Sequence, residues 1–150
     1  MKILLSVFLF CFLLLAAHHG NAVLHKAAHN DSIPAAFKGN FTDDYGIRYR
    51  ISDTTFEQLP DVKYYILKWD TANRYIITQN SASNPSEKSL YSRIDYMPFT
   101  GMEPWHWGFG LTRYDAASAA IAEASPAAGR DNPRKGCNGY PFSRMKRLAP

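Results

Sequence analysis

His106 and Asp95 are the residues whose types suit proton transfer. His106 is the one histidine within the patterned region, Glu103 is close to it in sequence, and Asp95 falls on the strand expected just before it. An imidazole held beside a carboxylate is the arrangement of a general base. One histidine and one aspartate on neighbouring strands are also commonplace, and a packed or solvated histidine is the more frequent outcome. Nothing else strengthens an enzyme reading. The chain has no Gly-x-Ser-x-Gly elbow, His-Glu-x-x-His helix, P-loop or dinucleotide fingerprint. His25 and His29 are four apart and would chelate only weakly on a helix, no zinc-ligand spacing is present, and no cofactor is implied.

A different chemistry is written in residues 105–113, which read Trp-His-Trp-Gly-Phe-Gly-Leu-Thr-Arg. Side chains alternate along a strand, so Trp105, Trp107, Phe109 and Leu111 share one face and His106, Gly108, Gly110 and Thr112 the other. In a sheet that closes on itself the first face turns inward. Tyr64, Trp69, Tyr96, Trp105, Trp107 and Phe109 are then the expected lining of a pocket for a small apolar or ring-shaped ligand. The same rings would also fill a barrel too small for a guest. The expectation is a cavity of binding size.

The elements that must position these rings are short. Turn chemistry such as Asp43-Asp44-Tyr45-Gly46 separates expected strands at 37–42, 47–51, 55–59, 62–69, 74–79, 90–97 and 105–113. Residues 62–69 are apolar on both faces, which suits a covered strand. The glycine face of 105–113 lets another segment approach. The expected occupant is an Ala-rich helix over 116–124, N-capped by Asp115 and ended by Pro126. The fold class is therefore mainly β: a small antiparallel up-and-down barrel or strongly curved meander with one Ala-rich C-terminal helix.

Export frames the rest. Lys2, an apolar run over 3–17 and small residues ending at Ala22 form a signal-peptide pattern, with cleavage expected after Ala22. A run of about 15 residues is short for a bilayer span, which needs ~20, and no second run of that length follows. The organisation expected is a signal peptide at 1–22, a flexible leader at 23–36, the β-meander plus helix at 37–129, and a basic Gly/Pro-punctuated tail at 130–150 packed on or near the same domain. The protein is expected to be secreted, periplasmic or extracellular. Cys11 leaves with the signal, so Cys137 has no partner for a disulfide within the chain.

Charge is uneven. Between Val23 and Gly129 ten basic residues face twelve acids, whereas the tail carries Arg130, Arg134, Lys135, Arg144, Lys146 and Arg147 against Asp131 alone. Those six cations either meet an acidic surface or fold back onto the acidic body. A modest net charge on an exported chain argues against nucleic acid as a partner. Asn30-Asp31-Ser32 and Asn40-Phe41-Thr42 are glycosylation sequons, and 144–147 matches a dibasic processing site. Both matter only in a eukaryotic secretory pathway.

Gly39-Asn40-Phe41, the meander and the late helix resemble the lipocalin-type barrels, whose usual Gly-x-Trp is here Gly-x-Phe. The ending Gly136-Cys137-Asn138-Gly139-Tyr140, with the aromatic strand and the Ala-rich helix, resembles a group of uncharacterised exported bacterial β-barrel proteins. That resemblance implies a cysteine on the aromatic strand, near the place of Gly110. On that implication Cys137 has lost a disulfide partner. Three functional expectations follow: a secreted small-ligand-binding protein using the aromatic wall, a structural or interaction protein using the basic tail or the free thiol, and an enzyme centred on His106 and Asp95.

Overall fold

A computed structural model describes residues 32–149. The signal pattern, His25, His29, the Asn30 sequon and most of the leader lie outside the described residues. Eight antiparallel strands close into a barrel in sequence order: β1 (Gly39–Asp43), β2 (Arg48–Ile51), β3 (Thr55–Gln58), β4 (Val62–Asp70), β5 (Tyr75–Asn80), β6 (Tyr91–Pro98), β7 (Trp107–Ala116) and β8 (Ser143–Arg147). Among the described residues one short α-helix, α1 (Ala119–Ala124), follows β7. Closure leaves no sheet edge unpaired.

The closing strand comes from the segment expected to be a tail. β8 pairs with β7 (Trp107↔Met145) on one side and with β1 (Asp43↔Met145) on the other. Its sequence, Ser-Arg-Met-Lys-Arg, holds one apolar residue, Met145, which is fully buried in the barrel. One buried apolar side chain was enough because the backbone bonds on both sides supply the rest.

Inward residues build a single core of Phe41, Tyr49, Ile51, Phe56, Tyr64, Trp69, Ile76, Ile94, Tyr96, Trp107, Phe109 and Met145, with Ile33 at one end. Burying one such side chain contributes about 1.5–3 kcal/mol. Strict alternation would put Tyr64 and Trp69 on opposite faces of β4. A bulge between Ile66 and Lys68 inserts Leu67, shifts the phase by one and turns both rings inward. Leu67 itself is left exposed outside.

Four expectations are corrected. Trp105 precedes β7 rather than opening it. It is half-buried outside the barrel, where Arg144 and Lys146 lie over its ring at 5.4 and 5.7 Å. α1 begins after Ser118, whose Oγ accepts from the Ile121 N–H at 3.3 Å; Asp115 and Ala116 still belong to β7. The helix covers Tyr75, Ile77 and Ala116 rather than the glycines. Over those glycines lie the Phe99 ring at Gly108 and Cys137 at Gly110. Last, the end of the expected leader is structural: Ala35–Phe37 form a 3-10 turn, Ile33 is buried, and the Phe37 ring packs against Trp69, Tyr96 and Trp107 at 5.7, 4.9 and 5.1 Å. Phe37 plugs that end of the barrel.

Candidate binding sites

Of the six rings expected to line a pocket, Tyr64, Trp69, Tyr96, Trp107 and Phe109 share the one buried core. They and their neighbours touch edge to face, with Tyr49–Phe109 at 5.4 Å, Phe56–Phe109 at 5.1 Å, Phe41–Trp107 at 5.5 Å and Phe56–Tyr64 at 6.3 Å. Such contacts add about 0.5–1.5 kcal/mol each beyond burial. The Trp69 indole N–H donates to the Tyr96 hydroxyl at 3.0 Å, which satisfies one buried dipole with another. Burial of the Tyr64 phenol pushes its pKa up to about 12. Among the described residues, the cavities of the mouth and the outer wall are lined by other side chains, not by Trp69, Tyr96 or Trp107. In the middle and at the plugged end, the expected chamber is occupied by the rings meant to line it.

The open end differs. There a cavity of about 340 Å³ is floored by Tyr49, Phe109 and Leu111 and walled by the β1–β2 turn, the end of β7 and the segment 137–143. Tyr45, Tyr114 and Tyr140 stand around it with 65%, 50% and 73% of their surface exposed. Gln58, Asn138 and Ser143 add polar atoms to the wall. Asp43 sets the rim. Its Oδ1 accepts from the backbone N–H of Tyr45 at 3.0 Å and of Ile47 at 2.8 Å, and its Oδ2 accepts from the Tyr49 hydroxyl at 2.9 Å. One carboxylate thus fixes the turn that carries Tyr45 to the barrel ring beneath it. Of the expected lining residues, only Phe109 belongs to this cavity. The exposed tyrosines fell in turns and strand ends, where periodicity gives no inward or outward sign; their clustering required closure.

Cys137 also lines the mouth cavity. Cys137 is buried, and that burial, with Asp95 adding to it and Arg130 opposing, pushes the thiol pKa up to about 11. A thiol held protonated is a poor nucleophile.

His106 and Asp95 are not brought together. Asp95 pairs in register with Gly110, four residues along from His106, which is about 13 Å of strand. His106 is exposed beside the β6–β7 connection. Asp95 is wholly buried on the outer wall, under the C-terminal segment. Arg93 donates to both its oxygens at 2.9 and 3.1 Å, the Thr112 hydroxyl donates at 2.6 Å, and Arg130 donates at 2.9 Å. Arg130 also reaches the backbone carbonyls of Arg74 and Tyr96 at 2.7 and 3.1 Å. Asp95 is an anchor for the segment after the helix, since breaking a buried pair of this kind is strongly destabilising.

Other cations of the expected basic tail are also turned inward to the fold. Arg144 binds Asp44, Lys146 lies over Trp105, and Arg147 donates to the carbonyls of Ala35, Ala36 and Lys38. Arg134 and Lys135 remain exposed. The Arg-Met-Lys-Arg stretch of the expected processing site sits in or beside the paired strand β8.

Among the described residues, no group of three His, Cys, Asp or Glu side chains could hold a metal, and no helix is long and apolar enough to cross a membrane. No family model, curated protein or solved structure matches the chain.

Proposed function

We propose that this is an exported binding protein for a small molecule with a planar or ring-shaped apolar face, held at the open mouth of the barrel rather than deep inside it. The observation that carries this reading is the trio of exposed tyrosines around a cavity of about 340 Å³ whose floor is the end of the aromatic core. A tyrosine ring is a rigid platform that costs little entropy to order, and its hydroxyl or a nearby Gln58 or Asn138 can fix orientation. The opposite end is plugged by Phe37, and among the described residues the mouth is where the end of the ring cluster is reached from outside. The separation of His106 from Asp95 lends no support to the enzyme reading, and the internal pairing of Arg130, Arg144 and Arg147 lends little to a free basic tail.

Kinship with the exported β-barrel group is part of the same proposal. It is supported by the contact of Cys137 with Gly110, the place where that likeness puts a second cysteine.

Calorimetry with naphthol, a neutral planar probe, tests the site. Saturable binding at one site, weakened about tenfold by Tyr140→Ala or Tyr45→Ala, is the expected result, the scale of losing one stacking platform. Absence of saturable heat, or affinity unaltered by both substitutions, would remove the proposal.

A further inference from the structure

A larger hollow, of about 590 Å³, lies on the outer wall between the end of β6, the connection that follows it and the C-terminal segment. Met97, Phe99, Met102 and Phe142 give it an apolar surface, and Pro133 and Pro141 supply rigid walls. Phe142 is buried and anchors the floor, whereas Met102 is 39% exposed. Two guanidinium groups stand at its edge. Arg144 is committed: its backbone N–H and Nε donate to the two oxygens of Asp44 at 3.0 and 2.8 Å. Asp44 is the one carboxylate lining the hollow, and that pair consumes it. Arg134 has no hydrogen-bond or ion-pair partner among the described residues. Glu103, next to Met102, is exposed and does not line the hollow.

The result is an apolar groove with one surplus positive charge at its rim. We infer that it binds an amphipathic carboxylate, with a flexible apolar body against the methionines and phenylalanines and the carboxylate on Arg134. The volume lies within the range of small-molecule sites. Methionine side chains adapt their shape to a flexible chain better than branched residues do. A guanidinium offers a carboxylate two parallel donors, which an alcohol of the same length cannot use. The site is separate from the mouth, where the exposed lining is tyrosine, and it does not depend on the reading given there.

Decanoate, below its micellar range, and decanol are the probes. Methyl NMR should show saturable decanoate shifts at Met97 and Met102, with the rings of Tyr45 and Tyr140 unaffected. Decanoate should bind more tightly than decanol. Arg134→Gln, at an exposed position that leaves the core untouched, should weaken decanoate about tenfold and leave decanol unchanged, the scale of one charge-assisted hydrogen bond. Met102→Glu, also at the surface, should repel decanoate. Equal affinity for the two probes, an unaltered affinity in Arg134→Gln, or shifts at the mouth tyrosines instead of the methionines would overturn the inference.

Discussion

Cys137 rests directly on Gly110. A side-chain carbon added at Gly110 would collide with the Cys137 Sγ and would lie 2.7 Å from its Cβ. The glycine that removes a side chain from β7 is what lets the C-terminal segment lie down on the barrel, where Ala128, Phe142 and Met97 complete a small apolar cluster with the thiol.

Gly110→Ala should therefore cost about 1–3 kcal/mol, the scale of overpacking a tight contact. In a Cys137→Gly background, which removes the colliding atoms, the penalty should shrink. Urea unfolding of the four proteins measures the coupling, and additive penalties would contradict the contact. Gly110→Cys should bond to Cys137 under oxidising conditions, once the segment backs off by about 1 Å to reach the usual Cβ separation. Two free thiols persisting after oxidation would count against it.

The helix is held by charge as well as by alanine. Glu123 Oε1 accepts from Lys68 Nζ and from the Tyr75 hydroxyl, both at 2.6 Å, and Arg93 donates to the Glu123 carbonyl at 2.7 Å. Hydrogen bonds from Lys68 and Tyr75 lower the Glu123 pKa. Burial opposes ionisation of Asp70, but hydrogen bonds from the Asn73 side chain and backbone, with Lys68 nearby, outweigh it and bring its pKa down to about 2. Both folded pKa values lie below their unfolded ones, so this stabilisation is present above pH ~4.5 and drains away as pH falls through the lowered folded values, about 2 for Asp70. Glu123→Gln should cost up to about 1 kcal/mol at pH 7, a figure limited by solvent screening, and its difference from the parent protein should shrink as pH falls below the usual carboxylate range. Denaturation midpoints across that range decide it: a loss that stays constant with pH would mean packing rather than charge.

Phe37 is the plug, and its removal should be felt by the indoles it touches. Phe37→Ala should cost about 2 kcal/mol, less than the 3–5 of a fully enclosed phenylalanine because Phe37 is only half-buried. Tryptophan emission should shift to the red as Trp69 and Trp107 gain water. An unaltered spectrum with unaltered stability would show the turn to be ornamental.

Local patterns along the chain were enough to set the class of this fold and the inward side of most strands. Alternation in 105–113, the turn residues between strands and the lack of a second long apolar run are local properties, and they pointed to six or seven strands and to Phe109, Trp107 and Tyr96 as interior. Tertiary structure decided what local pattern does not encode. β8 carries a single buried apolar residue, so only its two neighbours make it a strand. The phase of Trp69 depends on a bulge whose position is set by pairing with β5. Trp105 and Trp107 share a parity, yet the strand starts between them and sends one to the cations of β8 and the other to the core. The candidate mouth is made of tyrosines far apart in the chain, gathered only when the barrel closes. Periodicity records which way a side chain faces along its own strand; which distant residues it then meets is fixed by register, closure and the volume left between packed rings.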